Sequence, residues 1–203
     1  MKQKSFAQGL ARICCVLALV WPLTVWPPKV WSQGNESTSQ PAPVATMTVQ
    51  QPSLSGQAGG PQVLAGQVSV SLSPVLVQAI ERGVTLTFLS EFKMYKPRWW
   101  WFVDEEVGLV VRHARLTFHP LTRQFRVSVD GSKPQAFTDL TEALKACLAV
   151  NGWTVLQAPM APGHYAQIRL SLDTSALPKA LHVTALTNES WALSTGWVGV
   201  ATP

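Results

Sequence analysis

From Val84 to Met94 the chain places Val84, Leu86, Phe88, Phe92 and Met94 on one parity and Thr85, Thr87, Glu91 and Lys93 on the other. A period of two segregates onto one side only in a strand, because successive strand side chains point to opposite faces while a helix repeats every ~3.6 residues. The pattern recurs. Val68, Val70 and Leu72 alternate with Ser69 and Ser71, and Phe125, Val127 and Val129 alternate with Gln124, Arg126 and Ser128. Within Tyr165–Asp173, Ala166, Ile168, Leu170 and Leu172 share one face, and Trp153–Leu156 reads as a shorter strand. One-faced strands in such number need a second apolar layer to cover them.

The segments between strands carry turn and cap signals. Met47 and Val49 mark a strand that pairs with Val68–Leu72 across the Gly-rich stretch 55–61 as a loose hairpin. Ser73 followed by Pro74 is an N-cap with proline in the first turn, and Gly83 is a left-handed stop, so 74–82 is predicted to be a short helix. Asp139 with Glu142 is an acidic capping box, and Leu140, Leu144, Cys147 and Leu148 give a second helix its apolar stripe up to Asn151 and Gly152. In Val107–Phe118 the apolar phase moves from odd positions (107, 109, 111) to even ones (114, 116, 118), which predicts a bulge near Arg112 or His113. The residues His119–Thr122 form a hairpin connection, and Asp130–Gly131 a turn. The expected fold is mainly β: an antiparallel β-sandwich, Ig-like or related, with two short helices. The tail from Leu177 to Val200 shows no clear period.

The amino-terminal region has a different character. Lys2, Lys4 and Arg12 precede the apolar run Ile13–Trp26, which carries one proline, Pro22. As a helix that run spans about 21 Å, short of the roughly 30 Å hydrocarbon core, so it reads as a secretory signal and favours cleavage over retention as an anchor. Val30 and Ser32 suit a peptidase, so residues 1–32 are assigned as signal peptide, cut before Gln33. Residues 33–44, rich in Gln, Ser, Thr and Pro, are a flexible linker, and 45–203 one β-rich domain. Removing 1–32 takes away four of the 16 basic residues and none of the 11 acids, so the formal charge falls from +5 to 12 − 11 = +1. Nucleic acid is thereby disfavoured as a partner. Of three cysteines only Cys147 remains, on the apolar face of a helix, where a thiol is an inert small hydrophobe. The expected location is outside the cytoplasm: the periplasm of a Gram-negative bacterium, with membrane association open.

The densest patch is 93–102, KMYKPRWWWF, which interleaves Lys93, Lys96 and Arg98 with Tyr95, Trp99, Trp100, Trp101 and Phe102. Its plainer reading is a plug of indoles closing one end of the sandwich. The sharper one is a contact surface of Lys96, Arg98, Trp99, Trp100 and Trp101 for a membrane surface, sugar or peptide. Three consecutive tryptophans cannot all face one side of a strand, so one at least is exposed unless the backbone turns there. Asp104, Glu105 and Glu106 follow directly and are candidates for an acid/base pair or a hard-cation site, although adjacent loop acids more commonly point apart and Arg98 or Arg112 would pair with them. His113, His119, His164 and His182 lack metal-ligand spacing, and the chain has no GxSxG elbow, P-loop or dinucleotide fingerprint. No catalytic, cofactor or metal residue is assigned.

Four separated stretches, 83–101 (GVTLTFLSEFKMYKPRWWW), 121–128 (LTRQFRVS), 172–179 (LDTSALPK) and 185–191 (ALTNESW), resemble the exported bacterial domain-of-unknown-function family 4390. The resemblance implies a small envelope protein with a signal sequence and no assigned activity, cofactor or catalytic residue. It also implies a gene neighbourhood shared with a membrane sensor histidine kinase, hence a signalling partner. The long insertion 51–66 departs from the family pattern and leaves the first hairpin's length open. Two functions follow. One is a non-enzymatic interaction module that meets an envelope or membrane protein, such as a sensor histidine kinase, or the membrane surface. The other is an envelope hydrolase or ligand-binding enzyme using Asp104, Glu105 or Glu106 with a nearby His, which requires those acids to converge in a pocket.

Overall fold

The computed structural model describes residues 44–202 apart from 58 and 101. The expected signal peptide, and all of the linker but Val44, lie outside the described residues, as does Trp101. Among the described residues no helix is long and apolar enough to cross a membrane.

Alternation produces the expected strands. The first hairpin joins β1 (Thr46–Gly56) to β2 (Gln62–Ser71), with Met47 opposite Val70 and Leu54 opposite Leu64. The Gly- and Pro-rich insertion is therefore mostly strand. Its irregularity is taken up by a register shift between Gln50 and Ser53, where Gln51 adopts φ 48° and Pro52 replaces an amide donor. Helix α1 (Pro74–Glu81) starts at Ser73, whose Oγ accepts the Leu76 N–H, and is followed by Gly83 at φ 85°. The long β3 (Leu86–Lys96) pairs with β4 (Glu105–His119), which pairs with β5 (Gln124–Val129) and so leads to β6 (Gln135–Phe137). Helix α2 (Leu140–Cys147) begins where Asp139 accepts the Glu142 N–H at 3.1 Å. Then come β7 (Trp153–Leu156) and β8 (Tyr165–Leu172).

The unreadable tail is ordered structure. It holds a third helix, α3 (Lys179–Thr187), two 3-10 turns at Thr174–Ala176 and Glu189–Trp191, and β9 (Val198–Val200). The described residues thus hold three α-helices where two were expected. α3 has no side-chain N-cap bond and buries Ala185 alone, so it lacks both of the features by which the other two were read.

The strands form two antiparallel sheets, β1-β2-β7 and β6-β5-β4-β3-β8-β9. One core joins them: Leu54 and Leu64 from the small sheet, Phe88, Phe92, Leu116, Ile168 and Leu170 from the large one, and Leu76, Ile80 and Leu144 from α1 and α2. Phe88 and Phe92 are fully covered, so truncating either to alanine is expected to cost about 3–5 kcal/mol.

The predicted bulge at Arg112 or His113 is not there. Register is continuous from Leu86↔Leu116 to Met94↔Gly108 and shifts only between Met94 and Tyr95, where Val107 is the extra residue. From Gly108 onward the even positions of β4 face the core. Arg112 is therefore an inward residue, 8% exposed, and Leu109 and Val111 lie on the outer face at 50% and 38% exposure. Apolar residues of both parities made the phase ambiguous, and pairing with Phe88 and Phe92 decided it.

Candidate functional site

The β3–β4 connection, 97–104, carries the aromatic patch. Pro97 ends the pairing of β3, since it has no N–H for the ladder, and the chain leaves the sheet before Glu105 returns opposite Lys96. Trp99 and Trp100 do not plug the sandwich. Trp99 is 92% exposed and Trp100 62%, and the two meet edge to face with centroids 5.5 Å apart. Phe102 and Val103 are exposed as well, and so is Lys96. For Trp99 and Trp100 the plug reading fails, because the chain leaves the sheet at Pro97 and both rings lie mostly in water.

Polar staples hold that connection. Arg98 Nη2 meets Glu105 Oε2 at 2.7 Å, and the Arg98 backbone N–H donates to Asp104 Oδ1 at 3.3 Å. The other oxygen of Asp104 accepts the Tyr165 hydroxyl at 2.7 Å, while Tyr165 stacks on Tyr95 at 5.3 Å. Lys93 Nζ reaches Glu106 at 2.7 Å. The three carboxylates are thus divided among three partners on the loop and the outer face. They do not converge on one pocket, which is what acid/base chemistry with a nearby histidine required. His164 lines an open hollow of about 410 Å³ with Met94, Val107, Leu156 and Met160, and none of the three acids borders it. Among the described residues no group of three His, Cys, Asp or Glu has the arrangement of a metal site.

Protonation follows the same contacts. Hydrogen bonding to Arg98 holds the Glu105 carboxyl below its usual range, and hydrogen bonding to Glu106 raises Lys93. The bond to Asp104, followed by partial burial, pushes the Tyr165 hydroxyl up to about 12. Burial pushes the Cys147 thiol up to about 12, as befits a packing residue at 0% exposure and not a nucleophile.

Sequence reasoning missed the outer-face cluster behind the loop. Glu91, 8% exposed, accepts from Arg169 Nε at 2.7 Å; Arg169 lies 4.6 Å from the Trp197 ring centroid and Lys93 5.2 Å. Trp197 belongs to the tail, and nothing local signals that it caps an ion pair between β3 and β8. Of the proposed contact residues, Lys96, Trp99 and Trp100 project from the connection, while the charge of Arg98 is engaged by Glu105.

Residues 45–200 match a family described as a domain of unknown function (DUF4390). No curated protein and no solved structure matches the chain.

Proposed function

We propose that this chain, which belongs to the DUF4390 family, is an interaction module of the cell envelope whose contact surface is the β3–β4 connection. Export to the periplasm of a Gram-negative bacterium, and a membrane protein such as a sensor histidine kinase as partner, are parts of that reading. The observation that carries it is the exposure of Trp99, Trp100, Phe102 and Val103 on a loop that two carboxylates, Asp104 and Glu105, hold in place. Large apolar side chains exposed together mark contact sites, and indoles prepaid in conformation lose little entropy when a partner covers them. Lys96 at the root, exposed and in no salt bridge among the described residues, supplies a positive charge suited to an acidic juxtamembrane segment or to lipid headgroups.

The test is photo-cross-linking in cells from positions 99 and 100, repeated with Trp99→Ala and Trp100→Ala. Capture of one membrane protein, lost on substitution at the neighbouring indole while the fold persists, is the expected result. Unchanged capture in both variants, or cross-links to nothing in the envelope, would remove the reading's support.

A further inference from the structure

We propose a second binding surface, independent of the hairpin tip: the unpaired edge of β4 from Val107 to Arg112, which takes an extended segment of a partner, apolar in alternate positions and acidic at its amino end, as an added strand.

The edge is defined by register. β5 covers β4 only from Ala114 to His119, so the half of β4 before it has β3 on one side and, among the described residues, no strand on the other. His113 fixes the direction of the backbone groups, since its N–H donates to Asp130 Oδ1 and its C=O accepts from the Asp130 N–H, both at 2.8 Å. Backbone groups alternate along a strand, so Val111 and Leu109 point their N–H and C=O the same way, into the open row. That row offers two donors and two acceptors in line with β5. Two of the devices that normally blunt an edge, proline and an outward lysine, are absent from 107–112; the bulge at Val107 and the inward charge of Arg112 bound the open row at its two ends.

Side chains on both faces suit a bound strand. Outside, Leu109 and Val111 are exposed and would cover alternate apolar residues of the guest. Inside, the hollow lined by Val107, Leu156 and Met160 lies beside the same edge. Charge supplies the orientation. Arg115 is exposed on the outer face two residues from His113 and Arg126 farther along, opposite Thr117, neither in an ion pair among the described residues, and Lys133 is exposed in the adjoining turn. The acid of that turn, Asp130, already accepts the His113 amide. An antiparallel guest thus places its amino end beside these cations.

A second copy of the chain fits the row poorly. Pairing Leu109 of one copy with Val111 of the other sets Glu106 and Glu105 of the second opposite Ala114 and Arg115 of the first, and Val129 and Ser128 already hold those positions. A free extended segment has no such overlap.

The probe is a peptide of about seven residues, two glutamates followed by alternating valine and threonine, titrated into the full chain with amide hydrogen exchange as readout. The expected result is slowed exchange at Leu109 and Val111 and about tenfold weaker binding to Val111→Pro. That variant deletes a donor that has no partner in the fold, so it keeps its circular dichroism and melting temperature. Moving the glutamates to the carboxyl end weakens binding, and Arg115→Glu erases that preference. The proposal is overturned if peptide N-methylated at alternate amides binds equally well, if Val111→Pro binds like the parent, or if Val111→Pro converts a dimer to a monomer, which assigns the edge to a second copy. None of these outcomes depends on Trp99 or Trp100.

Discussion

The two long sides of the sandwich are closed by different means. On one side β1 meets β9 through backbone: the Leu54 N–H donates to the Ala201 carbonyl and the Ala201 N–H to the Pro52 carbonyl, both at 2.8 Å. On the other side β7 and the first half of β4 share no ladder, and the Arg112 side chain reaches across the span. Arg112 lies 4.7 Å from the centroid of the Trp153 ring and donates to the carbonyl of Ala149. A backbone seam uses up the peptide groups it pairs, here the N–H groups of Leu54 and Ala201 and the carbonyls of Pro52 and Ala201. A side-chain bridge brings the sheets together but leaves the edges of both strands with free peptide groups, and here it also leaves Arg112 Nε and the cross-strand Ser90 Oγ buried without partners. The sealed side is therefore structural, and the bridged side is where a strand can add.

The contrast can be broken most directly at the bridge. Arg112→Ala is expected to cost about 3 kcal/mol in urea denaturation, because it strands the Ala149 carbonyl and uncovers Trp153. Arg112→Met, which refills the space without a buried cation, should recover part of that loss. An Arg112→Ala protein as stable as the parent would mean that the bridge is incidental. At the seam, Ala201→Pro removes one donor and is expected to cost about 1 kcal/mol, since the Pro52 carbonyl at the sheet margin can turn to water. If this variant is the more damaging of the two, the sealed side carries the fold and the comparison inverts.

Nearer the tip, absorbance titration should find the Tyr165 hydroxyl ionising near 12, and Asp104→Asn should return it toward the ordinary value of ~10. The hydroxyl is raised on folding, so its hydrogen bond contributes fully below the unfolded value and is lost as pH rises through about 12. A midpoint unmoved by Asp104→Asn would show that the staple does not form in solution. The smallest effect belongs to the tip itself. Trp99→Ala and Trp100→Ala should each change stability by less than ~0.5 kcal/mol, because the rings are mostly in water. A melting temperature that falls well beyond that range would return the indoles to a packing role.

How much could be read from the chain differs from element to element. β3, β5 and β8 were legible because the apolar residues of each fall mainly on one parity, with Leu89 and Tyr95 in β3 and Tyr165 in β8 as departures, and α1 and α2 because Ser73 and Asp139 cap them. β4 was misread at its first half, where Val107, Leu109, Val110 and Val111 are apolar on both parities and Arg112 disguises a core position as a surface one. The tail escaped because α3 has neither a cap bond nor an apolar face, and β9 is a three-residue strand that exists only by pairing with β8. At the site, the sequence singled out the segment 93–102 and the acids Asp104, Glu105 and Glu106, whose hydrogen bonds and ion pairs only the structure shows. It could not separate a plug from a projecting loop, since exposure depends on what the rest of the sandwich leaves unfilled.

What the sequence determined by itself is local: which segments alternate and so must be strands with one covered face, where two helices start, and that aromatic and basic residues gather where a strand ends. Tertiary structure decided which face of β4 turns inward, which side of the sandwich is sealed and which is bridged, and which carboxylate meets which cation. Those outcomes depend on register between segments far apart in the chain, and a shift of one residue reverses every side chain on a strand. Alternation within a segment carries that information only when a single parity is apolar.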